Sequence, residues 1–144
     1  MSIALSDYNL GKSKKIAAEN LYADLDLSLT IHPNLKDIRP VKDIEAVKNS
    51  VKNIILTGNF ERPFQPGFGS RITQLLFEPV DHLTSIQIKE EIKRVIGLYE
   101  PRVSVTRVMV RDESDRNRYD VTIQFLVNYY DEAPEVRFYL ERLR

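Results

Sequence analysis

The sequence predicts an α+β fold, a single domain with an N-terminal strand and helices followed by a C-terminal antiparallel sheet. Three observations predict it. Apolar residues recur at helical spacing between Ile44 and Ile55 and again between Ile88 and Tyr99. After Pro101 the period switches to alternation. The alternating runs are separated by short polar breaks, as in hairpins. The expected division is an N-terminal arm over 1–23 and the domain itself over 24–144, ending in a β-hairpin and a C-terminal strand.

The arm is mostly polar, with Gly11 and the basic run Lys12 to Lys15, and shows weak periodicity. It reads equally as a flexible terminus or as a segment that orders on a partner. From Asp24 to His32, Leu25, Leu27, Leu29 and Ile31 alternate with polar neighbours, the period of a half-buried strand, and Pro33 ends it. Asp43 then offers a cap to a helix with Ile44, Val47, Val51, Ile54 and Ile55 on one face, and Gly58 stands just past its end.

The loop Asn59 to Ser70 holds two prolines, two glycines and three phenylalanines, too apolar for full solvation. It either plugs the domain's own core or presents anchors to a neighbour. A short helix from about Ser70 to Phe77 follows. Thr84 is the expected cap of a longer helix that turns Ile88, Ile92, Val95, Ile96 and Tyr99 to one side. Beyond it, Val103, Val105, Val108 and Val110 change phase near Thr106-Arg107, the mark of a bulge. Arg111 to Arg118 turns the chain, and Val121, Ile123, Phe125 and Val127 alternate as the second strand. After a break at Asp131 to Pro134, Val136, Phe138 and Leu140 alternate with charged or polar residues as a last strand.

Composition narrows the function classes. The chain has 144 residues, 42% hydrophobic and 29% charged, the balance of a globular domain able to build one core. Twenty-one basic residues match twenty-one acidic ones. That balance argues against a nonspecific nucleic-acid partner, whose phosphates call for an excess of cations. Without cysteine there are no disulfides or thiolate metal sites. No apolar run has the length of a bilayer span, and the N-terminus lacks the order of a signal peptide. The expectation is a protein with no membrane, nucleic-acid or small-molecule partner.

Catalytic motifs are sparse. His32 and His82 are far apart and form no HExxH-like pair, and Gly67 and Gly69 make only a GxG that follows no strand. Glu61 and Glu100 are the carboxylates a glycosidase would need, but each has an arginine nearby, which favours the ionised form. No catalytic residue, cofactor or metal is expected.

Tyr99-Glu100-Pro101-Arg102 carries more information. Proline forces its predecessor into extended geometry, so the helix ends near Tyr99. Glu100 and Arg102, two apart in extended chain, project to one side, where the guanidinium fork can engage the carboxylate. By itself the tripeptide reads as a helix stop with an ion pair or as a charged clamp at a subunit boundary.

Five pieces occur in order from about Tyr22 to Val127. They are Asp24 to Leu27, Lys52 to Thr57, the loop Glu61 to Gly69, the segment Leu75 to Glu78, and the Glu100-Pro101-Arg102 junction before a hairpin. In these the chain resembles the baseplate wedge and sheath-initiator family of contractile-tailed phages, also called lysozyme-like baseplate wedge proteins. The resemblance implies a noncatalytic virion component of the inner tail baseplate, assembled in the host cytoplasm. It implies that Glu100, Pro101 and Arg102 help join the subunit to two copies of a larger wedge protein and to a further wedge subunit. It also implies that the terminal sheet, with Val136, Phe138 and Leu140, seeds the first ring of tail sheath subunits by strand exchange. Neighbouring tube or hub proteins are further expected partners, and Arg62, Phe64 and Phe68 are expected interface anchors. The alternatives are the equivalent baseplate subunit of a contractile injection or secretion machine, or a cell-wall glycoside hydrolase.

Overall fold

The computed structural model describes residues 21–25, 29, 31, 33, 36–38, 40–130 and 132–142. Its elements run β1 (Ala23–Leu25), β2 (Pro40–Lys42), α1 (Asp43–Leu56), α2 (Ile72–Leu75), α3 (His82–Tyr99), β3 (Val103–Glu113), β4 (Arg118–Val127) and β5 (Glu135–Glu141). The α+β expectation holds: the terminal sheet is antiparallel in the order β3-β4-β5, and α3 packs against β3 on one face.

Periodicity explains the core. Val47, Val51, Ile54 and Ile55 of α1 and Ile88, Ile92, Val95 and Ile96 of α3 are buried at helical spacing. They meet the inward rows of the sheet, namely Tyr119, Val121, Ile123, Phe125 and Val127 of β4 and Val136, Phe138 and Leu140 of β5. Both hairpin strands alternate as expected, and the register slips between Val105 and Arg107, so the bulge lies where the phase changes. The turn is shorter than expected, because β3 runs on to Glu113. It is closed by a short 3-10 turn at Ser114–Arg116 and by Asn117 in the left-handed region.

The main chain fixes which backbone groups of the sheet are spent. Phe125 N donates to Pro134 O and Arg142 N to Asn117 O, so odd-numbered β4 residues bond toward β5. Asn128 N donates to Arg102 O, so even-numbered β4 residues bond toward β3. The backbone groups of Arg137 and Tyr139 therefore face the outer edge of β5, and those of Val108 and Val110 the outer edge of β3; neither edge pairs with a further strand among the described residues.

Four expectations need correction. Of the half-buried strand expected from Asp24 to His32, the described residues show β1, paired with β2 over three residues and exposed on both faces. Leu25, Leu29 and Ile31 are exposed, with no second layer over the small hairpin among the described residues, and Leu29 has a positive φ, which is not strand geometry. Leu27 and His32 lie outside the described residues, as do 1–20 of the expected arm. Asp43 is no cap for α1. Its φ is positive, and its carboxylate accepts hydrogen bonds from Tyr22 N and the Tyr130 hydroxyl. The α3 cap is Asp81, which accepts from Thr84 N at 2.7 Å, the Asp-x-x-Thr spacing of a side-chain cap. The short helix is confined to Ile72–Leu75, since Leu76 to Glu78 continue in turns.

Candidate assembly interface

The junction forms where α3 stops. Glu100 N still donates to Ile96 O, and Val103 N donates to Glu100 O, so the chain swings through Pro101 into β3. Glu100 is 2% exposed. Arg102 donates from Nε to Oε1 at 2.5 Å and from Nη2 to Oε2 at 2.7 Å. Ser50 of α1 donates its hydroxyl to Oε2 at 2.6 Å. Burial opposes the charge on Glu100, but the hydrogen bonds from Arg102 and Ser50 and the guanidinium's charge outweigh it. The carboxyl is held below its ordinary range.

Arg102 is itself part-exposed and lies over the Tyr22 ring, 4.9 Å from its centroid. Tyr22 also packs beside Tyr130, whose hydroxyl donates to Asp43; that bond raises the Tyr130 pKa to about 12. The junction thus ties α1, the α3–β3 corner and the N-terminal hairpin into one unit. The sequence brings Glu100 and Arg102 into view, but Ser50 and Tyr22 carry no local sign of their part.

The loop before α2 meets the same corner. Phe68 packs on the core and against Tyr99, with ring centroids 4.7 Å apart, and Arg62 lies 3.8 Å above the Phe68 ring. The Tyr99 hydroxyl donates to Gly67 O. Ser70 anchors the loop's end, its hydroxyl donating to Ile55 O and its N–H to Thr57 O. Gly69 has φ +110°, and a Cβ there would stand 2.6 Å from Thr57 O. The two readings of the loop divide by residue. Phe68 plugs the body, while Phe64 is 96% exposed.

The remaining predicted site residues are placed differently. Pro101 and Arg62 are exposed. Val136, Phe138 and Leu140 face the core of the same chain, so a partner at β5 would meet backbone and the alternate side chains instead. On that outer row Arg137 grips the largely buried Asp120 across the ladder, with Nε to Oδ1 at 3.0 Å. Arg118 stacks 4.1 Å over Tyr139. The hydrogen bonds and charge of Arg137 outweigh desolvation and hold Asp120 below the usual carboxylate range.

An ion cluster around the buried Glu91 has no counterpart among the sequence expectations. Glu91 of α3 accepts from Arg94 Nε and Nη2 and from Arg71 N, joining α3 to the start of α2. The Arg94 hydrogen bonds dominate over burial and depress its pKa to about 2. The i,i+3 spacing of Glu91 and Arg94 was a usable signal. Among the described residues, no group of His, Cys, Asp or Glu is placed to hold a metal ion.

Comparisons fit this architecture. The family described as baseplate wedge protein gp25 matches residues 41–131. The baseplate wedge protein gp25 of Enterobacteria phage T4 is 31% identical over 121 residues, which are 83% of this chain and 91% of that protein. A tail lysozyme structure from Geobacter sulfurreducens superposes with a TM-score of 0.63 at 23% identity, covering 68% of this chain and 89% of the other. A chain of the anti-feeding prophage baseplate gives 0.65 at 19% identity, over 77% of this chain and 89% of its own. A chain of the post-contraction pyocin R2 baseplate gives 0.58 at 22% identity, over 74% and 99%. These structures share the fold, and the family match covers α1, the loop, α3 and both strands of the β3–β4 hairpin. The chain belongs to the gp25 family of baseplate wedge proteins and is a structural subunit of the contractile-tail baseplate.

Proposed function

We propose that this subunit is noncatalytic, docks on other wedge proteins through the Glu100–Arg102 corner, and starts sheath polymerisation by lending the β5 edge to an incoming strand. The observation that carries the templating is the outer edge of β5, unpaired among the described residues, where Arg137 and Tyr139 turn their backbone groups away from β4. An added strand satisfies those groups, and affinity then comes from the main chain, as in β-augmentation. The edge is already ordered by the burial of Val136, Phe138 and Leu140, so the incoming strand does not bear the cost of forming it.

Docking rests on the corner's exposed surface. Arg102, Pro101, Arg62 and Phe64 offer charge and apolar area to larger wedge proteins. Glu100 stays beneath and holds Arg102 in place. Tube or hub proteins are further candidates for neighbours. Glu100 is ill suited to be a glycosidase acid, because its carboxyl is kept ionised.

The test substitutes proline for Tyr139, or for Arg137 together with Asp120→Asn so that no buried carboxylate is stranded; either removes one edge donor and leaves the β4–β5 backbone bonds in place. Wedges should still form, and baseplates carrying either variant should fail to start a sheath. Sheath of normal length on both variants would refute the templating. The tail-lysozyme relative favours hydrolysis as the second reading, which a zymogram with purified protein decides by the presence or absence of a cleared band.

A further inference from the structure

Between α3 and the outer edge of β3 runs a cleft of about 480 Å³, on the opposite side of the sheet from β5. Lys89 and Lys93 of α3 line it from one side and Arg107 and Arg111 of β3 from the other. Among the described residues no carboxylate lines it, in a chain whose formal charges cancel. Lys93 pairs with the exposed Glu90, whereas Lys89, Arg107 and Arg111 form no ion pair among the described residues. At the floor of the cleft, Val108 and Val110 turn backbone N–H and C=O groups outward.

We propose that the β3 edge is a second strand-accepting surface, selective for an extended acidic segment of another protein. The inference rests on the sheet-augmenting behaviour proposed for this subunit but concerns a different edge and names its occupant's chemistry. Two independent features point there. Unspent main-chain groups define an edge that another strand can complete. Cations on both walls, with no acid between them, fix the sign of the side chains that fit.

The same charges rule against the obvious rival, a second copy pairing β3 to β3. That arrangement brings Arg107 and Arg111 against like charges, the means by which sheet edges avoid self-association. Single-stranded nucleic acid shares the negative sign, but it lacks main-chain donors and acceptors at strand spacing. Its usual stacking platform is a row of aromatic rings, and among the described residues the cleft is lined by no Phe, Tyr or Trp and by a single imidazole, His82. The bulge at Val105/Arg107 limits the regular edge to the stretch beyond it, so the segment engages from Arg107 to about Arg111, roughly 16 Å of extended chain.

The experiment uses the full chain and a labelled synthetic decapeptide of alternating Val and Glu. Val/Gln and Val/Lys peptides and a single-stranded oligonucleotide serve as comparisons, all by fluorescence anisotropy. The acidic peptide should bind about ten-fold more tightly than the Gln peptide, and the Lys peptide least. Binding should slow amide exchange at Val108 and Val110. The combined Lys89→Gln and Arg107→Gln variant should lose about ten-fold in affinity, and Tyr139→Pro should leave it unchanged. Equal affinity for the Glu and Gln peptides, tighter binding of the oligonucleotide, or loss of binding in Tyr139→Pro would each overturn the proposal. Retained peptide binding alongside normal sheath growth on Tyr139→Pro baseplates would instead remove the β5 template and leave this surface standing.

Discussion

Arg102 closes over Glu100 with two parallel hydrogen bonds, and the carboxylate it grips is buried while the guanidinium reaches the surface. The pair is therefore asymmetric. Removing the arginine leaves a charge stranded inside, whereas removing the acid frees a cation that water can still solvate.

Arg102→Ala should cost about 1–2 kcal/mol, with the upper range for buried pairs discounted for the guanidinium's exposure. It should also raise the Glu100 pKa. Glu100→Gln should cost less, because the amide can keep the Ser50 contact. Chemical denaturation of both variants and of the pair in a double-mutant cycle measures the order; a larger loss for Glu100→Gln would contradict it.

Acid should destabilise the fold through Glu91. Its pKa falls from 4.5 to about 2 on folding, so its stabilisation is complete above the unfolded value and is lost as pH drops toward about 2. The part-exposed Arg94 tempers the effect to about 1–2 kcal/mol between roughly pH 5 and pH 2. Glu100 shifts the same way and adds to the slope. Denaturation midpoints measured across that window should fall less steeply for Glu91→Gln than for the wild type.

Gly69→Ala should destabilise by about 1–3 kcal/mol, since alanine must take a positive φ and its Cβ meets the Thr57 carbonyl. Gly67→Ala nearby meets nothing within 4 Å and should be near neutral. Thermal melts of the two variants provide a matched comparison. Equal shifts would mean that the loop end relaxes freely.

Phe64→Ala should leave stability within about 0.5 kcal/mol, because the ring touches little of its own chain. Its incorporation into assembled wedges should nevertheless drop, as should that of Arg62→Ala. A pull-down of wedges reads both, and undiminished incorporation would move the docking surface elsewhere.

The long elements were legible because period and burial coincide in them. Ile88, Ile92 and Val95 can only be one face of a helix, and Val121, Ile123 and Phe125 only one face of a strand. Pro101 marked the helix end on stereochemical grounds alone. What sequence could not supply was pairing at a distance. The pairing of Glu100 with Arg102 was readable from their spacing, but its burial against Ser50, fifty residues away on α1, was not. Leu25, Leu29 and Ile31 looked half-buried because alternation reports a strand but not whether anything is stacked upon it. Asp43 resembled a cap by type and position, yet Tyr22 and Tyr130 claim its carboxylate. The Asp81 cap was misplaced onto Thr84, the very residue whose N–H it accepts.

The bonding parity of the terminal sheet gives it a polarity. At β5 the residues that turn main chain outward, Arg137 and Tyr139, also carry the surface side chains. At β3 that main chain belongs to Val108 and Val110, which root the strand in the interior, and the decoration comes from Lys89, Arg107 and Arg111. One rim can thus change its chemistry only by changing its own exposed residues, while the other is dressed by its neighbours. A sheet extended through this domain would have unlike ends, and growth from them would carry a sense of direction.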